Sequence, residues 1–456
     1  MLEHNTYPKA DRLKKELFFG NTRRVLKAPL EFLRQLATSY GPVVNASMAG
    51  KKYMIVQHPD YIKHVLVDNN RVYNKTTITK ILRIFFGEGL VTNNGAIWAK
   101  KRRLIQPAFH KRRLSHILDI INEETTGFLD KLHSLPGGTR LNVTHELLHL
   151  NISIVSRSLF SSALKDDMNT MVKVLEELTT FASVWMKSIF KVPLSWPTPA
   201  NKKFNKNCEI FDSIIYGIIE KRKAYNSDAA LPSHDDLLDM LLDYADEDTQ
   251  NKMNDRQLRD EITTLFMAGH DTTAQTLGWI CYEIAKEREI NKKISAECHK
   301  VLKDGPPRLE DLTKLYYTNQ VIKEGLRYYP SIGAILRRPS QDDVIKGIKI
   351  KASTNVLINI YGVHHHSDFW EAPEKFDPER FSAELDKERP PFVYLPFGGG
   401  PRLCIGSSFA IMVMQVVLSR LYGSFEFSVP DGYLPEIEPN IIIKAKEGIH
   451  LILHKI

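Results

Sequence analysis

From Phe397 to Gly406 the chain reads Phe-Gly-Gly-Gly-Pro-Arg-Leu-Cys-Ile-Gly, an irregular glycine-rich stretch that delivers Cys404 directly before an apolar helix. Glycines open backbone conformations closed to other residues and allow a flat cofactor to approach closely. The N-terminal end of the helix that follows, with its free amides, stabilises negative charge on sulfur and so favours the thiolate. The competing reading is a buried structural cysteine after a glycine turn. Cys208, Cys281 and Cys298 have none of the close Cys/His spacings that zinc or iron–sulfur sites require, and such sparse cysteine usage suits a reducing compartment.

A second cluster, Ala268-Gly269-His270-Asp271-Thr272-Thr273, interrupts an otherwise apolar helix expected over about 255–289. Glycine inside a helix costs about 1 kcal/mol against alanine, and Thr and Asp are mediocre helix residues, so their clustering breaks a local rule. It is either an ordinary kink with threonines bonded back to the helix or a place where chemistry needs those side chains. Trp98 and Arg102 sit four apart in a basic helical segment, with an indole N–H and a guanidinium suited to donate to a carboxylate. Glu324 and Arg327, like Glu31 and Arg34, share a Glu-x-x-Arg spacing that places both side chains on one helix face. His364-His365-His366 is not read as a metal site, because consecutive residues of an extended segment point to opposite faces.

These side chains need a large scaffold to position them. The 456 residues are 43% hydrophobic and 25% charged, enough to bury a sizeable core. Helical periodicity dominates from about 29 to 329, interrupted by a strand-like stretch over 43–56. Strand character returns over 344–360 and again in the tail from Gly448, with an irregular Pro/Gly-rich stretch over 373–406. The expected architecture is mainly α with a smaller β portion, folded as one domain over 1–456. Lys9, Arg12, Lys14, Lys15, Arg23, Arg24 and Lys27 interrupt the first thirty residues, so no signal peptide or transmembrane anchor is expected and a cytoplasmic location follows. The uncharged run 403–419 contains polar residues and reads as a buried core helix. Net charge is +8, with basic runs at 100–103 and 111–113, but no nucleic-acid motif is present and no such partner is expected; an acidic protein partner or a solvated helix face explains the runs.

The segment from Phe397 through Arg402 and Cys404 to Gly406 resembles the haem-ligand loop of the cytochrome P450 family, and the likeness extends over nearly the whole chain. It implies the cytochrome P450 fold, a haem b iron ligated by Cys404, and a non-covalent haem otherwise, since Ala268 stands where relatives that esterify their haem carry glutamate. By the same resemblance Glu324, Arg327 and Arg380 of Phe376-Asp-Pro-Glu-Arg-Phe381 form a buried triad bracing the cysteine loop. Trp98, Arg102, Arg402 and Arg338 bind the haem propionates. Thr272 would hold the oxygen species or a water beside it, and Asp271 would relay protons.

The implied activity is monooxygenation of a lipophilic small molecule, hydroxylation or epoxidation, with a fatty acid or terpenoid-like compound preferred. Dioxygen is the co-substrate, and a separate ferredoxin or flavin-type reductase donates electrons, docked on the face of Lys100, Lys101, Arg103 and 111–113. The pocket is expected to draw on Phe85, Phe86, Phe266, Met267, Ala334 and Ile335. Alternatives on the same scaffold are a haem-thiolate peroxygenase or isomerase and a non-enzymatic haem sensor.

Overall fold

The computed structural model describes residues 10–13, 21–48, 50–76, 78–109, 111–161, 167–188, 192–228, 231, 234, 236–244, 252–303, 305–439 and 442–456. Lys9, Lys14 and Lys15, which enter the reading of the N-terminal segment, lie outside the described residues. The chain forms two compact units, one from Met1–Thr77, Tyr316–Ser407 and Leu434–Glu447, the other from Ile78–Leu315, Ser408–Tyr433 and Gly448–Ile456.

The first unit is built on a six-stranded sheet in the order Asp11–Arg12, Val43–Met48, Lys51–Val56, Asn355–Asn359, Ala334–Pro339, Tyr73–Asn74. The second and third of these form a hairpin, with Val43 opposite Val56 and Gly50 at φ +72° in the turn, the left-handed region that glycine enters without steric cost. Asn355–Asn359 then pairs parallel to Lys51–Val56 and antiparallel to Ala334–Pro339. Val43, Met54, Val56, Val356 and Ile358 bury one set of side chains together with Tyr61, Ile62, Val65 and Leu66, the alternation expected of strands with a packed face. The stretch expected as strand over 344–360 resolves into Asp343–Ile345, Ile348–Ile350 and Asn355–Asn359, and Ile360 opens a short helix capped by the Asn359 side chain at Gly362 N–H.

The second unit is helical, with a three-stranded sheet of Phe425–Ser428, His450–Lys455 and Arg140–Asn142. Its centre is the Asp255–Lys286 helix, which begins with reciprocal hydrogen bonds between Asn254 and Gln257 that satisfy end-of-helix amides. From Leu258 to Ile284 nearly every position is buried, the signature of a helix surrounded by protein on all sides. It packs on the Val143–Phe160 helix, where Gly278 is needed: a Cβ there would lie 2.7 Å from Thr144 Oγ1. The run 403–419 falls mostly in the Ser407–Ser424 helix, whose Met412, Val413, Val416, Val417 and Leu421 are core residues. Among the described residues, no helix is long and apolar enough to cross a membrane. The architecture is thus mainly α with a smaller β portion.

Candidate functional site

The cysteine loop is shaped by its glycines and by one carbonyl. Gly398 and Gly400 have φ +75° and +67°. A Cβ on Gly400 would lie 2.0 Å from the backbone oxygen of Leu66, so any other residue would displace the loop from the segment it rests on. The chain turns back so that Cys404 N–H donates to Phe397 C=O at 3.0 Å and Leu403 N–H to Gly400 C=O at 3.0 Å. Cys404 is exposed, whereas Cys281 and Cys298 are buried and Cys208 is half-buried. Burial pushes the Cys208 and Cys281 thiols up to about 12, so both are inert as nucleophiles or ligands near neutrality. The chain thus presents one sulfur, three residues ahead of the helix that opens at Ser407.

The charged triad that the resemblance implies comes together in the first unit. Arg327 makes a two-pronged contact with Glu324, at 2.7 and 2.8 Å, and both side chains are 0% exposed. Arg380 Nε reaches Glu324 Oε1 at 3.3 Å, and Asp377 N–H donates to the same oxygen at 2.8 Å. The guanidiniums also hold backbone: Arg327 donates to His364 C=O and Pro373 C=O, and Arg380 to Glu371 C=O and Ala372 C=O. A buried carboxylate survives only when its lone pairs are taken in this way. Glu31 and Arg34, with the same sequence spacing, meet at 2.8 Å on the surface.

His364 extends the brace to the cysteine loop. Its Nε2 accepts from Leu395 N–H at 2.8 Å, so the other nitrogen, Nδ1, carries the proton and donates to Arg327 C=O at 3.2 Å. Burial, with the charge of nearby Arg327, lowers the pKa of His364, and that of His365 to about 3. The three histidines are not extended as expected from sequence, because the Asn359 cap turns Ile360–His364 into a helix; the ring of His364 is occupied by backbone groups instead.

Three cations gather in the same unit. Lys75 is pushed down to about 7 by burial and then by the charges of Arg402 and Arg337. Arg337 is lowered to about 10 by burial and by Arg402, and Arg402 to about 10 by burial. Like charges sharing a buried space repel, and an anionic group placed among them would relieve that repulsion; the carboxylates of haem are such groups. Strand alternation turns Arg338 the other way, and its guanidinium donates to Asn355 Oδ1 at 2.6 Å. Arg337 therefore occupies the position beside Arg402 that the sequence reading assigns to Arg338. Lys75 has no sequence signal: one lysine after a two-residue strand looks like any surface residue.

On the Asp255–Lys286 helix one face is open amid buried neighbours: Ala268 is exposed, and Gly269 and Thr272 are half-exposed. Thr272 Oγ1 donates to Ala268 C=O at 2.9 Å, so the back-bonded threonine considered as the plainer alternative is what the fold adopts, and the hydroxyl oxygen keeps lone pairs with which to accept. Asp271 is buried, and Gln275 Nε2 donates to its Oδ1 at 3.1 Å. His270 is buried too, its Nδ1 donating to the carbonyls of Met267 and Phe266 at 3.1 and 3.3 Å. From the Val143–Phe160 helix, Asn151 Nδ2 donates to both Gly269 C=O and His270 C=O. Sequence reasoning missed Asn151 and Gln275. The second had a signal, standing four residues after Asp271 on the same helix face.

The start of this helix also clamps the loop after the Ile78–Phe86 helix. Asp260 accepts from Glu88 N–H at 2.8 Å and Glu261 from Leu90 N–H at 2.9 Å. Lys101 is drawn into the clamp: its Nζ lies 2.6 Å from Glu261, with side chains 13% and 0% exposed. This corrects the expectation that Lys101 is a surface docking charge; Arg103 is exposed, and the side chains of Lys111 and Arg112 lie outside the described residues. Of the expected pocket residues, Phe266 is corrected as well. It is 0% exposed and stacked between Phe160 and His270, so it fronts no open space. Met267 is buried, and Phe85 packs on Phe86 and Phe211. Ala334 and Ile335 are half-exposed, and Ile335 Cδ1 reaches within 3.6 Å of a Cβ built on Gly398. Trp98 and Arg102 lie one turn apart on the Gly95–Ile105 helix, with Arg102 Nε donating to Gln106 Oε1 at 3.3 Å.

A family model described as Cytochrome P450 matches residues 14–452. Among curated proteins the chain is similar to Protein LUTEIN DEFICIENT 5, chloroplastic, of Arabidopsis thaliana, at 28% identity over 93% of this chain and 73% of that protein. It is similar also to Cytochrome P450 97B2, chloroplastic, of Glycine max, at 29% identity over 96% and 85% of the two chains. Cytochrome P450 4F3 of Homo sapiens is 30% identical over 92% of this chain and 85% of its own length.

Proposed function

The chain belongs to the cytochrome P450 family, whose members are haem-thiolate monooxygenases, and on that premise we propose that it hydroxylates or epoxidises a lipophilic small molecule of the fatty-acid or terpenoid type. The observation that carries the reading is Cys404, exposed at the end of a loop whose two positive-φ glycines and Phe397 carbonyl fix the sulfur's backbone. Bound haem supplies the iron at which dioxygen is reduced and its O–O bond cleaved, a cleavage that a thiolate ligand favours. Residues 1–456 are read as one functional domain, because the matched span draws on both compact units.

Cys404 Sγ ligates the iron of a haem b, with no second covalent link, since Ala268 offers only a methyl group. Phe397 and Gly406 frame the ligand segment. Arg402, Arg337 and Lys75 hold propionate charge, together with Trp98 and Arg102; Arg337 replaces Arg338 in this assignment. Thr272 Oγ1 would accept a hydrogen bond from a water at the site while its own O–H stays donated to Ala268 C=O. Asp271 carries protons at its carboxylate, oriented through Gln275. Electrons come from a separate ferredoxin or flavin-type reductase, in the cytoplasm, and basic side chains such as Arg103 speed that encounter at low salt.

Two measurements test the reading. The reduced, carbon monoxide-treated protein should give the far-red-shifted Soret band of thiolate-ligated haem, and Cys404→Ala should abolish it. With a donor system and a panel of lipophilic compounds, dioxygen uptake should match oxygenated product; uptake without product across the panel would overturn the assignment.

A further inference from the structure

The Val143–Phe160 helix carries His145-Glu146-Leu147-Leu148-His149 near its start, and residues four apart share a helix face. His145 is exposed and His149 half-buried. Their Nε2 atoms lie 3.3 Å apart, with ring centroids at 4.6 Å. A tetrahedral zinc ion binds imidazole nitrogen at about 2.0–2.1 Å, which sets two such nitrogens roughly 3.3–3.4 Å apart. The two rings already hold that spacing.

We propose that His145 and His149 form a surface site for one late first-row divalent cation, with Zn2+ or Cu2+ as the fitting ligands, bound through both Nε2 atoms. The backbone beneath is pre-organised. Asn142 Oδ1 accepts from His145 N–H at 3.1 Å, and the intervening Leu147 and Leu148 are core residues. Glu146 is held at 2.5 Å by Lys131 and does not serve as a third ligand. Among the described residues no three His, Cys, Asp or Glu side chains converge as a metal site, so the ion's remaining positions go to water or to an exogenous ligand. In the metal-free pair one Nε2–H donates to the other nitrogen. On binding, the donor ring moves its proton to Nδ1 through solvent, and the neutral pair releases no net proton. The Irving–Williams order ranks Cu2+ above Zn2+ here.

The test is a Zn2+ titration of tag-free holoenzyme in competition with a chromogenic chelator, for the native protein, His145→Ala and His149→Gln. The native protein should bind one equivalent more than either variant. Each variant's residual affinity at that site should be weaker by about tenfold or more, since even loss of a supporting group around a metal costs 10–100-fold. Unchanged haem absorbance reports intact folding, and His145→Ala, at an exposed position, keeps the test decisive if His149→Gln misfolds. Equal stoichiometry and affinity in the native protein and His145→Ala would overturn the site.

Discussion

Replacing Lys101 by Met separates two accounts of the basic Gly95–Ile105 helix. If Lys101 is a docking charge, the substitution leaves stability alone and slows reduction by an acidic donor at low salt. The structure predicts the reverse. Glu261 is fully buried and its carboxylate is held by Lys101 at 2.6 Å and by Leu90 N–H at 2.9 Å. Removing one partner of a buried ion pair costs about 3–5 kcal/mol, and the surviving Leu90 amide places the loss near the lower end. At about 2 °C per kcal/mol for a large domain, the melting temperature should fall by roughly 6 °C.

The pH dependence gives the sign. Burial already raises the pKa of Glu261, against the lowering effect of Lys101; without that lysine it rises further. A carboxyl whose folded pKa exceeds its unfolded value binds an extra proton when folded, so the deficit shrinks as pH falls toward the ordinary carboxylate range and grows as pH rises through the raised value. Thermal unfolding at pH 5 and pH 8, followed by haem absorbance, measures both effects. A Lys101→Met protein that melts like the native one at both values, yet is reduced more slowly at low salt, would refute the clamp.

Gly400→Ala should purify with little or no haem, because its Cβ would collide with Leu66 C=O at a backbone angle alanine rarely adopts; a full haem-to-protein absorbance ratio would contradict this. Arg337→Leu should lower haem retention well below that of Arg338→Leu, as measured by transfer to apomyoglobin, and equal loss rates would restore Arg338 as a propionate contact. His364 and His365 are both held neutral by burial, their folded pKa values lying below the unfolded value of about 6.5. Stability should therefore be full above that value and decline as pH falls below it, by about 1.4 kcal/mol per pH unit for each histidine, with His365 ceasing to contribute near 3. His365→Gln should reduce that slope in urea unfolding, and an unchanged slope would locate the proton uptake elsewhere. Thr272→Ala should still bind substrate but divert reducing equivalents to peroxide, while Gln275→Leu should slow turnover and alter its pH profile through Asp271; native coupling in the first variant would remove Thr272 from the chemistry.

What the sequence reveals about this protein depends on how local the determining contacts are. The Phe397–Gly406 loop and the Glu324/Arg327 pair are legible because glycine conformations and a three-residue helix spacing are written in consecutive residues. Arg380 required a second motif, since its contact with Glu324 spans 56 positions. The choice between Arg337 and Arg338 turned on the phase of a strand, which one residue's error inverts. Lys101 looked like its basic neighbours because its partner lies 160 residues away in a different helix. Phe266 was expected in the pocket lining as an apolar residue, yet on a helix buried all round, neighbours in sequence face different partners. The three histidines were expected on an extended segment, and the place of His364 between Arg327 and Leu395 was not legible because it depends on two segments that only folding brings together.

The amide of Asn151 carries an implication for recombining this scaffold with its relatives. It reaches from one helix to two consecutive carbonyls of another, and Gly278 meets Thr144 across the same interface. The Val143–Phe160 and Asp255–Lys286 helices therefore behave as one inheritance block, despite roughly a hundred residues between them. A chimera with a single crossover inside that interval would join one parent's carbonyls to the other's side chain at position 151. Moving both helices together preserves the pairing around Asp271 and Thr272.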